Sequence, residues 1–386
     1  MGKVYSHSHC MIAAAAASDC FGGLFARGAE LPILKAPRED PNSSTLRSAL
    51  IKPPFTYWDD LFKSSKLNER GWTLQERELS PRIIYFTKHT MLFECREAQA
   101  GDPSPPWNSM YRSSFRPKIS NFVSQRARRC LDQPYQTSIG SAPFGTILEK
   151  RYLTWMEMVE GYSARELSIP SDKFAGVSGL ASEFAYLLGD QYVAGLWRKD
   201  LWRGLCWRWK SNIAAHTPKT KMLNSQTMNY GPSWSWAKMV VPISYELALN
   251  QGRDYFQAVE NETQCGERSK WSDPMLLNVS TVPEGKDPNG SLISATIHLE
   301  GLVLRVSRSR TENFQILGEA VKVVWDYLPQ TATTYYILSL GRPTGHVGLV
   351  LIPTELNDNA YRRAGIIATT RLEWFKQTDL QKLYLV

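Results

Sequence analysis

The sequence predicts an α+β protein with a helical N-terminal half and an antiparallel β-rich sandwich or barrel as its C-terminal half. Apolar residues between Leu148 and Val159 recur at three- and four-residue steps, the spacing of one helix face. Beyond Pro232, short runs of β-branched and aromatic residues are separated by Gly, Pro and Asn, which is typical of a sandwich or barrel. Helices and strands that are segregated along the chain indicate the α+β class.

The elements of the first hundred residues follow from local composition. An Ala-rich run predicts a helix over residues 4–17, and Gly22-Gly23 ends it. Five prolines among polar residues predict an extended linker over residues 31–56. A helical pattern then covers residues 58–79 up to Pro81, and two strands are predicted over residues 82–86 and 91–95.

The remaining elements divide the chain further. Residues 99–143 have an irregular, Pro-containing sequence, and residues 144–210 form the strongest predicted helical block. Strands are predicted over residues 275–282, 294–306, 320–327, 334–340, 348–352 and 363–368. We therefore predict three regions: residues 1–98, a helical region over residues 99–230, and a β-rich domain over residues 231–386.

Composition narrows the class of partner. The net charge of +8 is spread along the chain and no nucleic-acid-binding motif accompanies it, so we expect no nucleic-acid partner. No apolar run approaches the roughly 18 residues of a membrane span, so we expect no transmembrane segment. The six cysteines are scattered without a C-x-x-C pair, which favours a reducing compartment and a cytoplasmic location.

The aromatic content, 13 Trp, 17 Tyr and 14 Phe, has two interpretations. The rings fill a core, or some of them line a pocket for an apolar small molecule. Trp234 and Trp236 alternate in sequence, so on a strand they would point to the same face. We assign Trp72, Tyr192, Trp197, Trp234 and Trp236 as substrate-binding residues.

Two blocks resemble a known family. The sequence Arg-Gly-Trp-Thr-Leu-Gln-Glu-Arg over residues 70–77 and Pro-Ser-Trp-Ser-Trp over residues 232–236 are similar to blocks of fungal HET (heterokaryon incompatibility) proteins. The resemblance implies a TIR-like sheet linked to cell-death signalling. The opening strands of that sheet have no counterpart here, so residues 1–98 resemble a HET domain shortened at its N-terminus. Whether Met1 is the true start, and whether Gly2 is myristoylated, stays open.

Candidate catalytic residues lie in the first of these blocks. On a helix, Trp72, Gln75 and Glu76 share one face, and Arg77 follows them. Gln75, Glu76 and Arg77 could hydrogen-bond a substrate carbonyl and stabilise developing charge. The alternative is structural, with Arg77 paired to Glu76, Asp19 or Glu94. We expect no metal, because the lone His7-x-His9-Cys10 group lacks a second cluster, and no nucleotide or redox cofactor, because no Gly-rich phosphate loop occurs.

Three functions remain open. The first is a cofactor-independent, pericyclase-like cyclase or isomerase that holds an apolar terpenoid or polyketide intermediate of fungal secondary metabolism in an aromatic-lined cavity. The second is the self/non-self recognition or cell-death role that the resemblance implies. The third is a non-catalytic pseudo-domain that binds a partner. The sequence does not indicate a substrate, a product or an oligomeric state.

Overall fold

The computed structural model contains both helices and strands, and it forms two compact units, Met1–Gln133 and Pro134–Val386. Each unit is described by itself. The structure describes residues 1–24, 34–40, 43–51, 65–87, 91–96, 99–101, 147–210, 231–250, 274–307, 314–326, 334–341, 347–355, 357–368 and 370–386. The predicted irregular region over residues 99–143 lies almost entirely outside these ranges, and the boundaries predicted near residues 98 and 230 stay predictions.

The first unit holds a small sheet with short helices. Its helices are α1 (Gly2–Ser6), α2 (Lys66–Glu69) and α3 (Trp72–Leu79). Its strands are β1 (Met11–Ala13), β2 (Leu34–Asp40), β3 (Ser43–Ile51), β4 (Arg82–Phe86), β5 (Met91–Cys95) and β6 (Gln99–Gly101). Four strands form one sheet in the order β1-β4-β5-β6, with β1 parallel to β4. Buried residues of β1, β4 and β5 form the small core under this sheet.

Two predictions for this unit were wrong. The predicted helix over residues 4–17 contains only α1, because Ala13 and its neighbours pair with β4, where Ala13 lies opposite Tyr85. A long-range pairing here outweighs the helix propensity of alanine. The predicted linker over residues 31–56 contains the antiparallel hairpin β2–β3. The strands predicted over residues 82–86 and 91–95 are confirmed. A helical N-terminal half as a whole stays a prediction.

The second unit begins with a helical layer. Its helices are α4 (Ile147–Ser163), α5 (Ser178–Leu188), α6 (Leu201–Gly204) and α7 (Glu246–Asn250). Its short strands are β7 (Tyr192–Val193), β8 (Leu196–Trp197), β9 (Arg208–Trp209) and β10 (Ile243–Ser244). Single 3-10 turns cover Pro170–Lys173, Ala175–Val177 and Trp236–Lys238. The predicted helical block therefore holds for α4 and α5, whereas residues 192–209 form a tight hairpin, one helical turn and a strand.

The C-terminal half forms a closed barrel. Its strands are β11 (Met275–Pro283), β12 (Leu292–Ser307), β13 (Phe314–Ile316), β14 (Glu319–Val321), β15 (Val324–Trp325), β16 (Thr334–Ser339), β17 (Gly348–Pro353), β18 (Ala360–Ile367) and β19 (Leu380–Leu385). The ring runs β12-β16-β17-β18-β19 and returns to β12, while β11 and β15 are added at its margins. This confirms the barrel that the strand pattern predicted. Its interior is filled by buried apolar side chains from these strands and from the 3-10 turn Leu372–Phe375.

A buried arginine joins the barrel to the helical layer. Arg363 of β18 is fully buried, and its guanidinium donates to Asp326 and to the backbone carbonyls of Leu205 and Trp207. Three acceptors for one cation satisfy most of its donors, which a buried charge requires. The segment that follows α6 is thereby fixed against the barrel wall.

A candidate buried acid–base site

The predicted catalytic Arg77 lies in an ion pair within the first unit. Its Nε and a terminal nitrogen donate to the two oxygens of Glu94 over 3.2 and 3.1 Å. The Tyr85 hydroxyl donates to the same carboxylate over 2.6 Å, and Glu94 is fully buried. These bonds tie α3 to the β4–β5 hairpin. The structure therefore contains the Arg77–Glu94 pair that the structural alternative predicted.

The other predicted residues of this block lie on the same helix. Gln75 is fully buried, whereas Trp72 and Glu76 are half-buried. Glu76 faces Tyr5 of α1: burial, the charge of Glu76 and a hydrogen bond with it together raise the pKa of Tyr5 to about 12. All four predicted residues on α3 belong to the first unit, and the other predicted substrate-binding residues belong to the second.

Trp234 and Trp236 are interior residues, but they do not lie on a strand. Ser235 between them caps the 3-10 turn Trp236–Lys238 by accepting a hydrogen bond from Ala237 N–H. The Trp234 indole N–H donates to the Leu385 carbonyl over 3.2 Å, and the Trp236 N–H donates to a carbonyl of the β7–β8 turn. The predicted two-Trp platform on a strand was therefore wrong, because Trp234 lies in a turn and Trp236 begins a 3-10 turn.

Tyr192 and Trp197 do share a face. They are cross-strand partners in the β7–β8 hairpin, and their ring centroids are 5.4 Å apart. Trp155 of α4 contacts both rings edge to face, at 5.7 and 5.1 Å, and Phe184 of α5 packs on Trp155 at 5.1 Å. We call these four residues the aromatic cluster. Their direct contacts make the cluster a packed part of the interior.

Two polar groups of the aromatic cluster have no hydrogen-bond acceptor in the part of the chain that the structure describes. The N–H groups of Trp155 and Trp236 both donate to the Gly195 carbonyl, over 3.1 and 3.0 Å. The Trp197 N–H and the Tyr192 hydroxyl find no hydrogen-bond acceptor among the described residues, although only 2% and 8% of these side chains are exposed. The Gly195 amide acts on the Tyr192 oxygen, yet an amide N–H cannot accept the hydroxyl proton. Buried donors of this kind are rare in proteins and require an explanation.

A pair of buried carboxylates lies at the N-terminal end of α4. Arg203 of α6 donates through Nε to Asp200 over 2.6 Å, and its terminal nitrogen lies 3.6 Å from a Glu149 oxygen. All three side chains are buried, and Asp200 is 2% exposed. Two buried carboxylates therefore lie beside the same guanidinium. We call Glu149 and Asp200 the carboxylate pair.

The environment of the carboxylate pair favours the protonated acids. Burial raises the pKa of Asp200 to about 6, against the attraction of Arg203. Burial also raises the pKa of Glu149, again against Arg203 and with a contribution from the Asp200 charge. In addition, the Oδ2 atom of Asp200 has no hydrogen-bond partner in the described part of the chain. A buried carboxyl whose pKa is raised toward neutrality can act as a general acid.

Tyr152 lies beside the carboxylate pair. Its hydroxyl donates to Asp190 over 2.9 Å, and the Arg203 guanidinium lies 5.9 Å from its ring centroid. Burial, followed by the bond to Asp190, raises the pKa of Tyr152 well above its usual value. Asp190 also accepts from the backbone N–H of Lys199, over 3.0 Å to its Oδ2, which fixes the segment that leads into Asp200.

The carboxylate pair was missed from the sequence, although one signal existed. Glu149, Tyr152 and Trp155 recur at three-residue steps, so an acid lies on the apolar face of the predicted helix. Asp200 and Arg203 gave no such signal, because they are brought to Glu149 only by the turn between α5 and α6.

None of the helices in the described ranges combines the length and the apolar character that crossing a membrane requires. Within the same ranges, no group of three or more His, Cys, Asp and Glu side chains is placed to hold a metal ion. His7 and His9 are exposed on the first unit. Comparison of the chain with known protein families, with curated proteins and with solved structures finds no match.

Proposed function

We propose that the chain is a cofactor-independent isomerase or cyclase of an apolar terpenoid or polyketide intermediate, and that its proton transfers occur at the carboxylate pair. The observation that carries this proposal is the sharing of one arginine, Arg203, by two buried acids. Burying two carboxyl groups and a guanidinium is costly for a protein that needs only a packed core. Ionisable groups with strongly shifted pKa values concentrate at functional sites.

The chemistry that this pair supports is a proton shift. Asp200 in its acid form donates a proton to one carbon of a substrate double bond, and the Glu149 carboxylate removes a proton from the carbon next to the other end of that bond. A double bond moves, the substrate keeps its composition, and the proton passes back to Asp200 between turnovers. Arg203 stays charged throughout and holds both carboxyl groups in position.

The aromatic cluster supplies the second element of the proposal. Trp155 lies six residues after Glu149 on α4, which is about 9 Å along the helix axis at 1.5 Å per residue. A substrate of two or three rings could span this distance. The faces of Tyr and Trp rings stabilise positive charge that develops on carbon during a cyclisation. In this proposal, the carboxylate pair and the aromatic cluster take the catalytic role that the sequence assigned to Gln75, Glu76 and Arg77.

We propose a fungal context for this activity because residues 70–77 and 232–236 resemble blocks of HET proteins. We propose that the chain is a relative of that family with a biosynthetic role in the cytoplasm.

A gene deletion provides the substrate for the test. The compound that accumulates in the deletion strain is isolated and incubated with purified protein in D2O. We expect an isomeric product that carries deuterium at the carbon that receives the proton. Asp200→Asn and Glu149→Gln should each lower the rate at least a hundredfold. Glu183→Gln on α5 is the control and should keep the wild-type rate. An unlabelled product, or full activity of Asp200→Asn, would overturn the proposal.

A second candidate is a non-catalytic, partner-binding protein. The direct ring contacts of the aromatic cluster and the neutralisation of Arg77 by Glu94 favour it, because both are features of a packed scaffold. Under this alternative, the compound that accumulates in the deletion strain should stay unchanged when it is incubated with the purified wild-type protein. Conversion of that compound by the wild type, and loss of the conversion in Asp200→Asn, would instead favour the enzyme.

A further inference from the structure

We infer that the ligand of the aromatic cluster carries an oxygen acceptor, a carbonyl, ether or hydroxyl oxygen, that binds the Trp197 N–H and the Tyr192 hydroxyl. This inference rests on the proposed function and specifies its substrate class. A pure hydrocarbon would leave both donors without a partner. An oxygenated terpenoid or polyketide would satisfy them.

The first support is the contrast among the indole groups of the same region. Four buried indoles, those of Trp155, Trp207, Trp234 and Trp236, donate to backbone carbonyls over 3.0 to 3.2 Å. Trp197 is just as deeply buried and has no such acceptor among the described residues. Within the described ranges, the fold therefore satisfies each of the other four indoles but not this one. Leaving a buried donor unpaired is costly, so an acceptor from a ligand would stabilise this site.

The second support is the position of Tyr192. Because Tyr192 and Trp197 are paired across β7–β8, their side chains leave the hairpin on the same face. Two acceptor-deficient donors on adjacent rings can bind the two lone pairs of one oxygen. The Tyr162 hydroxyl and Asp287 interact electrostatically with the Tyr192 hydroxyl, and the Gly195 backbone amide interacts with its oxygen. The Tyr162 hydroxyl itself donates to the Lys173 carbonyl over 3.0 Å.

The third support is chemical. A carbonyl that accepts two hydrogen bonds becomes more polarised, and the protons on the carbon beside it become more acidic. Proton removal by a carboxylate is easier from such a carbon than from a hydrocarbon. The donors would therefore bind the substrate and also activate it for the carboxylate pair. Trp197 and Tyr192 are then substrate-binding residues, in agreement with their assignment from the sequence.

The test uses camphor and bornane, a bicyclic terpenoid ketone and the hydrocarbon of the same skeleton. The indole N–H signals of the full chain are recorded by proton–nitrogen NMR, and the Trp197 signal is assigned by its loss in Trp197→Phe. We expect camphor to move the Trp197 signal to lower field and to leave those of Trp155 and Trp236 in place. Bornane should move none of the three.

Variants then separate binding from packing. Trp197→Phe and Tyr192→Phe keep a ring and remove one donor, so each should weaken camphor binding about tenfold. Tyr186→Phe, on the exposed face of α5, should bind camphor as the wild type does. Asp200→Asn should also bind camphor normally while losing turnover. The failure of the proton-shift proposal is thereby distinguishable from the failure of this one.

Several outcomes would overturn the inference. Equal binding of camphor and bornane would show a site that selects shape alone. A Trp197 signal that is already at a hydrogen-bonded position and does not respond to camphor would show that an internal water satisfies the donor. Absence of binding by either compound at millimolar concentration would show a closed core.

Discussion

The guanidinium carbon of Arg363 lies 3.4 Å from the centroid of the Trp207 indole ring, so a barrel cation stacks on a ring of the helical layer. The same guanidinium bonds Asp326 over 2.8 Å. One side chain thus combines a ring contact, an ion pair and two bonds to backbone carbonyls. It holds the segment that carries Arg203 and Asp200 against the barrel.

We predict that Arg363→Met lowers the free energy of unfolding by about 3–5 kcal/mol, because Asp326 would stay buried without its partner. Arg362→Met, one residue away on the exposed face of β18, should change it by less than about 0.5 kcal/mol. Urea denaturation measures both values. Adding Asp326→Asn to Arg363→Met should recover part of the loss, and a double variant less stable than Arg363→Met would contradict the assigned cause.

The raised pKa of Asp200 predicts a pH-dependent stability. The folded state holds this proton up to about pH 6, whereas the unfolded chain releases it near pH 4. The protonated Asp200 therefore contributes fully to the free energy of unfolding below pH 4. This contribution, about 3 kcal/mol, is lost as the pH rises from about 4 to 6. Asp200→Asn removes this dependence. Unfolding curves of both proteins between pH 4 and 7 should therefore converge at low pH and separate at neutral pH, with the variant the more stable.

Parallel curves for the two proteins over that range would show that Asp200 titrates normally in the folded state. Glu183→Gln, which changes a carboxyl group outside the carboxylate pair, controls for the loss of one negative charge.

The tight turn at Gly195 predicts a strong response to substitution. Gly195 has φ of +94°, and a Cβ built there would lie 2.4 Å from the Trp236 indole nitrogen. Gly189 has φ of +57° but no atom within 4 Å of its Cβ position. Gly189→Ala should therefore cost only the left-handed backbone strain, about 1–2 kcal/mol. Gly195→Ala should cost clearly more, because Trp236 must also move.

Thermal unfolding followed by near-ultraviolet circular dichroism measures both glycine variants and reports the environment of the tryptophans. Gly195→Ala should alter the tryptophan signal, and Gly189→Ala should not. Equal losses of stability would contradict the close approach of Trp236 to the turn.

Lys173 provides a prediction about reactivity. Burial lowers its pKa to about 8, and its ammonium donates to the Met239 carbonyl. A neutral amine is the reactive form, so the rate of acetylation at Lys173 should rise with pH and level off above about 8. Mass spectrometry of peptides after a brief exposure to acetic anhydride measures this rate. Lys199, whose ammonium donates to the Gly189 carbonyl at the surface, is the comparison. A rate at Lys173 that continues to rise up to pH 10 would contradict the prediction.

The sequence predicted elements well where local patterns determine them. The β4–β5 hairpin and most barrel strands follow from alternation and turn residues, and α4 follows from its apolar face. Prediction failed where distant pairing decides the structure. Ala13 is a strand residue because it meets Tyr85, which lies 72 positions later in the chain. No composition rule within the window around Ala13 contains that information.

The candidate site residues show the same contrast between local patterns, which the sequence reveals, and long-range contacts, which it does not. Tyr192 and Trp197 were assigned from the sequence, and the structure pairs them. Trp234 and Trp236 were expected on a strand, and the cap formed by Ser235 separates them instead. Asp200 could not be assigned, because its burial depends on Arg203 and on the packing of α4 against the turn before α6. The spacing of residues along the chain does not predict a charge pairing between distant segments.

A ring of five strands has a kinetic consequence. Each strand of the ring has a hydrogen-bonded neighbour on both sides, so no strand of the ring can detach by fraying from an open edge. Amide protons at the centre of β12, which pairs on one side with β19 and on the other with β11 and β16, should exchange with deuterium only when the whole unit unfolds. The exchange rate of these protons would then report the global stability of the unit directly, and ligands of the aromatic cluster would slow it in proportion to their affinity.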